Sequence, residues 1–109
     1  MEITAREMVL TELGGAEITL DEAREMITHF RRAAPPDAER SGSYDRVHFD
    51  AILARPDCAG IRFYHALHED GSPTIVIIGI DEQGRPVAGG PIIQNHLPCP
   101  PNCFGDDLV

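Results

Sequence analysis

The clearest hydrophobic pattern in the chain predicts a helix over residues 20–33. Its apolar residues recur at spacings of three and four, which places them on one helix face: Leu20, Ala23, Ile27 and Phe30. Thr19 followed by Glu22 has the spacing of a capping box, so the helix begins at Leu20. Pro35 and Pro36 end it, because the residue before a proline avoids the helical region.

Two shorter helices are predicted on either side of this one. Thr4 and Glu7 have the capping-box spacing and predict a helix over residues 5–13, although residues 1–15 could instead form a frayed leader. Farther along, a short apolar stripe predicts another helix over residues 46–54.

The pattern changes to that of strands from residue 60 onward. Residues 60–67 alternate, which predicts a half-buried strand whose apolar face carries Ile61, Phe63, His65 and Leu67. Residues 74–80 are apolar on both faces, as is typical of a central strand covered on each side. A third strand falls at residues 86–88 or 91–94, where a leading proline suits a sheet edge.

These elements predict one α+β domain over residues 1–109, with N-terminal helices packed on a small antiparallel β-meander of about three strands. Residues 34–45 are polar and rich in helix-breaking residues, which predicts a mobile loop within that domain. The tail, residues 97–109, contains three prolines and is expected to lack regular structure.

The net charge of the chain makes two classes of binding partner unfavourable. The chain has 9 Arg, no Lys and 18 acidic residues, for a net charge of −9. Phosphate backbones and anionic membranes attract basic faces, so we expect neither nucleic acid nor a membrane as a partner. The N-terminus lacks the pattern of a signal peptide, and the longest apolar run, residues 75–80, is far too short to span a bilayer. We therefore expect a cytoplasmic location.

The candidate chemistry lies near the C-terminus. His96, Cys99 and Cys103 fall within eight residues, and together with Cys58 they offer a Cys3His zinc site. Zinc is the sole candidate cofactor. Cys58 could instead be a small buried apolar residue. Cys99 and Cys103 could also form a local disulfide, which a cytosolic compartment opposes, or a reversible redox pair without the spacing of a thioredoxin motif.

No catalytic residue can be assigned from the sequence. His65 and His68 are three residues apart on a predicted strand and so point to opposite faces. Phosphate-binding glycine loops and nucleophile elbows are absent from the sequence, and no nucleophile can be paired with a base. These observations favour a protein that is not an enzyme.

Four segments carry a resemblance to a known family: residues 49–54, residues 60–64, residues 78–81 ahead of Gly84, and residues 99–103. From about Ile18 onward the chain resembles a family of small uncharacterised bacterial proteins with an N-terminal helix, a GIRxY-type hairpin and a C-terminal CPPxC motif. The resemblance implies that the C-terminal motif is a family feature, and it implies no activity.

Two functions follow as expectations. The first is a non-catalytic interaction or oligomerisation module, which uses the sheet edge and the tail to bind a second copy of the chain or another protein. The alternative is a zinc-binding or thiol-redox protein that uses Cys99 and Cys103.

Overall fold

A computed structural model describes residues 12–109 of the chain, and within them it is an α+β protein, as predicted. The described helices are α1 (Leu20–Ala33) and α2 (Arg46–Leu53). The described strands are β1 (Ser41–Ser43), β2 (Gly60–Leu67), β3 (Pro73–Ile80), β4 (Ile92–Ile93) and β5 (Leu97–Cys99). The chain forms two compact units. We call residues 12–41 with residues 98–109 the helix–tail unit, and Gly42–Leu97 the sheet unit.

The bounds predicted for the main helix, α1, are confirmed. The Glu22 amide donates to Thr19 Oγ1 at 3.1 Å, and the Thr19 amide donates to Glu22 Oε1 at 3.2 Å, which completes the capping box. At the other end, the Ala34 amide donates to the Phe30 carbonyl at 2.9 Å. The second predicted helix is also confirmed, as α2. The helix predicted over residues 5–13 and the leader over residues 1–15 lie largely outside the described residues.

The sheet unit contains a three-stranded antiparallel sheet in the order β2-β3-β4. The central position of β3 is confirmed, and Ile77, Ile78 and Ile80 are buried there. Both sequence candidates for the third strand contact β3: residues 92–93 form β4, and Pro86 forms an isolated bridge with Ile80. The core of the sheet unit therefore lies on the central apolar strand, as the sequence predicts.

Helix α2 packs on one face of this sheet. Ile52 is 1% exposed, and it lies against β3 at Gly79. A Cβ atom at Gly79 would lie 3.0 Å from Cys58 Sγ and 3.2 Å from Ile52 Cγ2, so a glycine permits this close approach. Gly79 is directly opposite Ile61, which places Ile61 on the same face.

The buried face predicted for β2 is wrong over its second half. Phe63 and Leu67 are 61% and 71% exposed, although they share a face with the half-buried Ile61. A helix of eight residues is about 12 Å long, whereas a strand of eight residues extends about 27 Å. Helix α2 therefore reaches only the part of the face that contains Ile61.

Two strands occur where no regular structure was predicted. β1 lies in the segment expected to be a mobile loop, β5 lies in the tail expected to be irregular, and together they form a two-stranded sheet. Their residues, Ser-Gly-Ser and Leu-Pro-Cys, show no strand pattern. Pairing between segments more than fifty residues apart is a property of the tertiary structure. Neither described helix is long and apolar enough to cross a membrane.

The packing of α2 predicts a contrast between two adjacent residues. Ile52→Ala removes a side chain that is 1% exposed, and we expect it to lower the free energy of unfolding by about 2–5 kcal/mol. Leu53→Ala alters the next residue of the same helix, which is 53% exposed, and we expect a loss below about 1 kcal/mol. Urea denaturation measures both. Equal losses in the two variants would show that α2 is not packed as described.

Candidate functional site

Cys99 and Cys103 form a disulfide in the helix–tail unit. The Asn102 amide donates to the Pro98 carbonyl at 2.9 Å, which closes the turn between the two cysteines. Cys99 is 2% exposed, whereas Cys103 is only half-buried. Of the alternatives that the sequence left open for this pair, the structure shows the disulfide, which a cytosolic compartment would oppose. Cys103 is the more exposed residue of the two.

Arg40 contacts both sulfurs of this disulfide. Its Nη2 lies 3.3 Å from Cys103 Sγ and 3.6 Å from Cys99 Sγ. Its amide donates to the Cys99 carbonyl at 2.7 Å, so the backbone brings the guanidinium to the bridge. Sequence reasoning missed Arg40, because it lies 59 and 63 residues from the two cysteines in a loop without a recognisable motif.

The tail beyond the disulfide is attached to α1 by polar contacts. Asp106 accepts a hydrogen bond from Ser41 Oγ at 3.1 Å and forms an ion pair with Arg31 at 3.7 Å. Arg24 Nε donates to the Leu108 carbonyl at 2.9 Å. None of these contacts involves a sulfur atom, so the tail has attachments to the helix that do not require the disulfide.

Cys58, the third cysteine, is a free thiol in the sheet unit. Its Sγ donates to the Gly60 carbonyl at 3.1 Å, and it lies beside the backbone of Gly79. It is half-buried, in keeping with the alternative that it serves as a small packing residue.

His96 is buried in the sheet unit, at 8% exposure. Its ring lies 6.2 Å from the ring of Tyr44, centroid to centroid, and packs so closely on Gly42 that a side chain there would overlap it. The Tyr44 hydroxyl donates to the Ile75 carbonyl, and burial raises the pKa of Tyr44. His96 thus belongs to a packed corner beside β3.

The four predicted zinc ligands are divided between the two units. Within residues 12–109, no group of three or more His, Cys, Asp or Glu side chains is placed to hold a metal ion. Zinc binds cysteine as the thiolate, and the sulfurs of Cys99 and Cys103 are bonded to each other. The zinc site therefore stays a prediction, and it concerns the reduced chain.

An open acidic cleft in the sheet unit offers no comparable chemistry. Its two aspartates are engaged in bonds within the chain: Arg55 donates to both oxygens of Asp57 at 3.0 and 3.1 Å, and the Arg85 amide donates to Asp81 at 2.9 Å. These hydrogen bonds lower the pKa of Asp57 and of Asp81. Both carboxylates therefore serve to hold turns.

No family model, curated protein or solved structure matches this chain. The resemblance to a bacterial family with a CPPxC tail therefore stays a prediction.

The disulfide predicts the number of reactive thiols in each redox state. Without reductant, the denatured protein should have one free thiol, Cys58, and after reduction it should have three. Thiol titration measures both numbers, and Cys58→Ser should reduce each by one. Three free thiols in the oxidised protein would contradict the pairing.

Zinc binding by the reduced protein is a separate prediction. If the metal hypothesis is correct, the reduced chain binds about one zinc ion, and Cys99→Ser and Cys103→Ser each abolish binding. Native mass spectrometry with added zinc measures this. The oxidised protein is the control and should bind none, because Cys99 and Cys103 are then bonded to each other and cannot be thiolate ligands. Absence of zinc from the reduced protein would remove the hypothesis.

Proposed function

We propose that the protein is a thiol–disulfide redox module in which Cys99 and Cys103 alternate between a disulfide and a dithiol. The observation that supports this proposal is the contact of the Arg40 guanidinium with both sulfurs. Thiol–disulfide exchange proceeds through thiolates, as attacking and as leaving groups. A neighbouring positive charge stabilises a thiolate and so favours both steps.

The short loop between the cysteines also supports a redox role. Their sequence separation is 4. In the chain-entropy account, so small a loop stabilises the folded state by about 2 kcal/mol, less than a bridge that closes a long loop. Such a bridge is a weak structural staple, and the tail has independent attachments to α1 through Arg31 and Arg24. Opening the bridge therefore need not unfold the helix–tail unit.

A cytoplasmic location, as expected from the sequence, suits this proposal. Glutathione and thioredoxin keep most cytosolic thiols reduced, and cytosolic disulfides are usually transient. The pair would rest as a dithiol there and would form the disulfide on oxidation. The same cycle can transfer electrons or report the redox state of the compartment.

Equilibration in buffers of defined thiol–disulfide ratio tests the proposal. We expect a reversible two-electron transition between one and three free thiols. Arg40→Gln removes the charge that favours the reduced thiolate, so it should make the potential more negative, by about 10–30 mV. Arg46→Gln, which alters an arginine paired with Asp50 on α2, is the matched control and should leave the potential unchanged.

Two outcomes would contradict the redox proposal. One is a disulfide that native-state reductants cannot open unless denaturant is present, which would indicate a purely structural bridge. The other is a dithiol that does not re-form the disulfide in an oxidising buffer. If Arg40→Gln and Arg46→Gln shifted the reduction potential by the same amount, the Arg40 guanidinium would have no specific effect on the disulfide.

A second candidate function is self-association through β2. This strand is at one edge of the three-stranded sheet and, within the described residues, pairs only with β3. Phe63 and Leu67 are exposed on one of its faces. An edge strand with free backbone groups and apolar side chains tends to pair with another strand. A second copy of β2 offers the same groups, so an isologous dimer can bury both surfaces.

Light scattering coupled to size-exclusion chromatography tests this second function. We expect a dimer at micromolar concentration and a shift toward monomer in Phe63→Ser. Phe104→Ser is the matched control, because it changes an 81% exposed phenylalanine of the helix–tail unit and should leave the mass unchanged. A monomer at every concentration would remove the proposal, and equal dissociation of both variants would show that β2 is not the interface.

A further inference from the structure

We propose that Cys103 is the sulfur that exchanges with an external partner, and that Arg40 selects small thiols bearing carboxylates for that exchange. This inference rests on the redox function proposed above. It adds the identity of the attacking sulfur and the chemical class of the substrate.

The exposures of the two cysteines assign the attacking sulfur. Cys99 is 2% exposed, whereas Cys103 is half-buried and the residues on both sides of it, Asn102 and Phe104, are exposed. Exchange requires one sulfur to reach another, so access decides which thiol reacts first. A partner in solution can reach Cys103, and Cys99 is then the thiol that resolves the mixed disulfide from within.

The charge of Arg40 assigns the class of partner. Five arginines form ion pairs with aspartates within the described residues: Arg24, Arg31, Arg46, Arg55 and Arg85. Arg40 is exposed and has no ion pair with a carboxylate in that part of the chain; the side-chain contacts described for it are to the two sulfurs. A guanidinium has five N–H donors, and two of them can bind the two oxygens of a carboxylate at once. A small thiol with a carboxylate near its sulfur can therefore bind Arg40 while it reacts at Cys103.

The net negative charge of the chain repels anionic thiols, but this repulsion acts mainly at long range, where salt screens it. The net charge is −9, but interactions between exposed charges are largely screened beyond about 8 Å at physiological ionic strength. In the same unit, the carboxylate of Asp106 is already paired with Arg31 and bonded to Ser41. Arg40 is the cation that contacts Cys103 Sγ, at 3.3 Å, which is well inside the screening distance.

The exchange proceeds in two balanced steps. The Cys103 thiolate attacks one sulfur of a small disulfide, breaks its S–S bond and releases one small thiolate, which takes a proton from water. Cys99 then loses its proton to solvent and attacks Cys103 Sγ, which forms the protein disulfide and expels the second small thiolate. Two electrons pass from the protein to the small disulfide, which becomes two thiols.

A series of small disulfides of matched size tests the charge preference. The reduced protein carries Cys99→Ser, which traps the mixed disulfide, and Cys58→Ser, which removes the other thiol. It reacts separately with dithiodiglycolate (anionic), hydroxyethyl disulfide (neutral) and cystamine (cationic). Mass spectrometry follows adduct formation, and each rate is divided by that of an unstructured peptide containing one cysteine, because the three reagents differ in intrinsic reactivity.

We expect the normalised rate for the anionic disulfide to exceed that for the cationic one by about three- to five-fold, the size of effect that one exposed charge pair produces. Adding Arg40→Gln should bring the ratio close to one, and Arg46→Gln should leave it unchanged. Added salt should reduce the preference. A ratio near one in the parent protein, or an equal ratio after Arg40→Gln, would overturn the selection by Arg40.

A second variant tests the assignment of the sulfur. The protein with Cys103→Ser and Cys58→Ser retains Cys99, and we expect its adduct to form at least tenfold more slowly than the adduct at Cys103. Equal rates would overturn the assignment. If circular dichroism shows that a serine variant does not fold, the reduced protein with all three cysteines is instead treated briefly with dithiodiglycolate, alkylated and digested. Mass spectrometry of the peptides should then find the mixed disulfide on Cys103. A mixed disulfide on Cys99 would overturn the assignment.

The outcomes separate the inference from the function on which it rests. A reversible redox transition without a charge preference keeps the redox module and removes the selection of anionic thiols. Absence of both the transition and the adducts removes the function itself.

Discussion

The disulfide site depends on the hydrogen bond from the Arg40 amide to the Cys99 carbonyl, 2.7 Å long. It joins two segments that are far apart in the sequence and individually have little tendency to form regular structure. Because the bond is made by backbone atoms, it positions the Arg40 side chain at the bridge without a requirement on the neighbouring residue types. The guanidinium then lies within 3.6 Å of both sulfurs. A positive charge so close to a sulfur stabilises the thiolate, which is the reactive form of cysteine.

The second unit of the chain is organised by β3. Its apolar residues face both sides of the sheet, and the absence of a side chain at Gly79 lets Ile52 and Cys58 approach the strand. The cysteines of this small protein therefore lie in two different environments. Cys58 contributes to the packing of the sheet unit, whereas Cys99 and Cys103 lie in a proline-rich turn with a cation beside them.

The described arginines have different kinds of partner. Four of the eight described arginines pair with aspartates a few residues away, as in the pairs of Arg55 with Asp57 and Arg85 with Asp81, which brace turns. Such exposed pairs contribute little to stability. Arg40 has no such partner within residues 12–109, and its guanidinium lies beside the disulfide for which we propose redox chemistry. The same arginine therefore links the proposed redox activity with the proposed selection of anionic thiols.

Local chemistry explains what the sequence by itself determined. The capping box of Thr19 sets the start of α1, and the apolar run of residues 74–80 defines β3, because period, capping and strand preference act over a few residues. Contacts between distant residues decided the rest. The exposure of Phe63 depends on how far a short helix reaches across the sheet, and the contact of Arg40 with Cys103 spans 63 residues. Neither leaves a periodic trace in the sequence, so only the tertiary structure brings the guanidinium to the bridge.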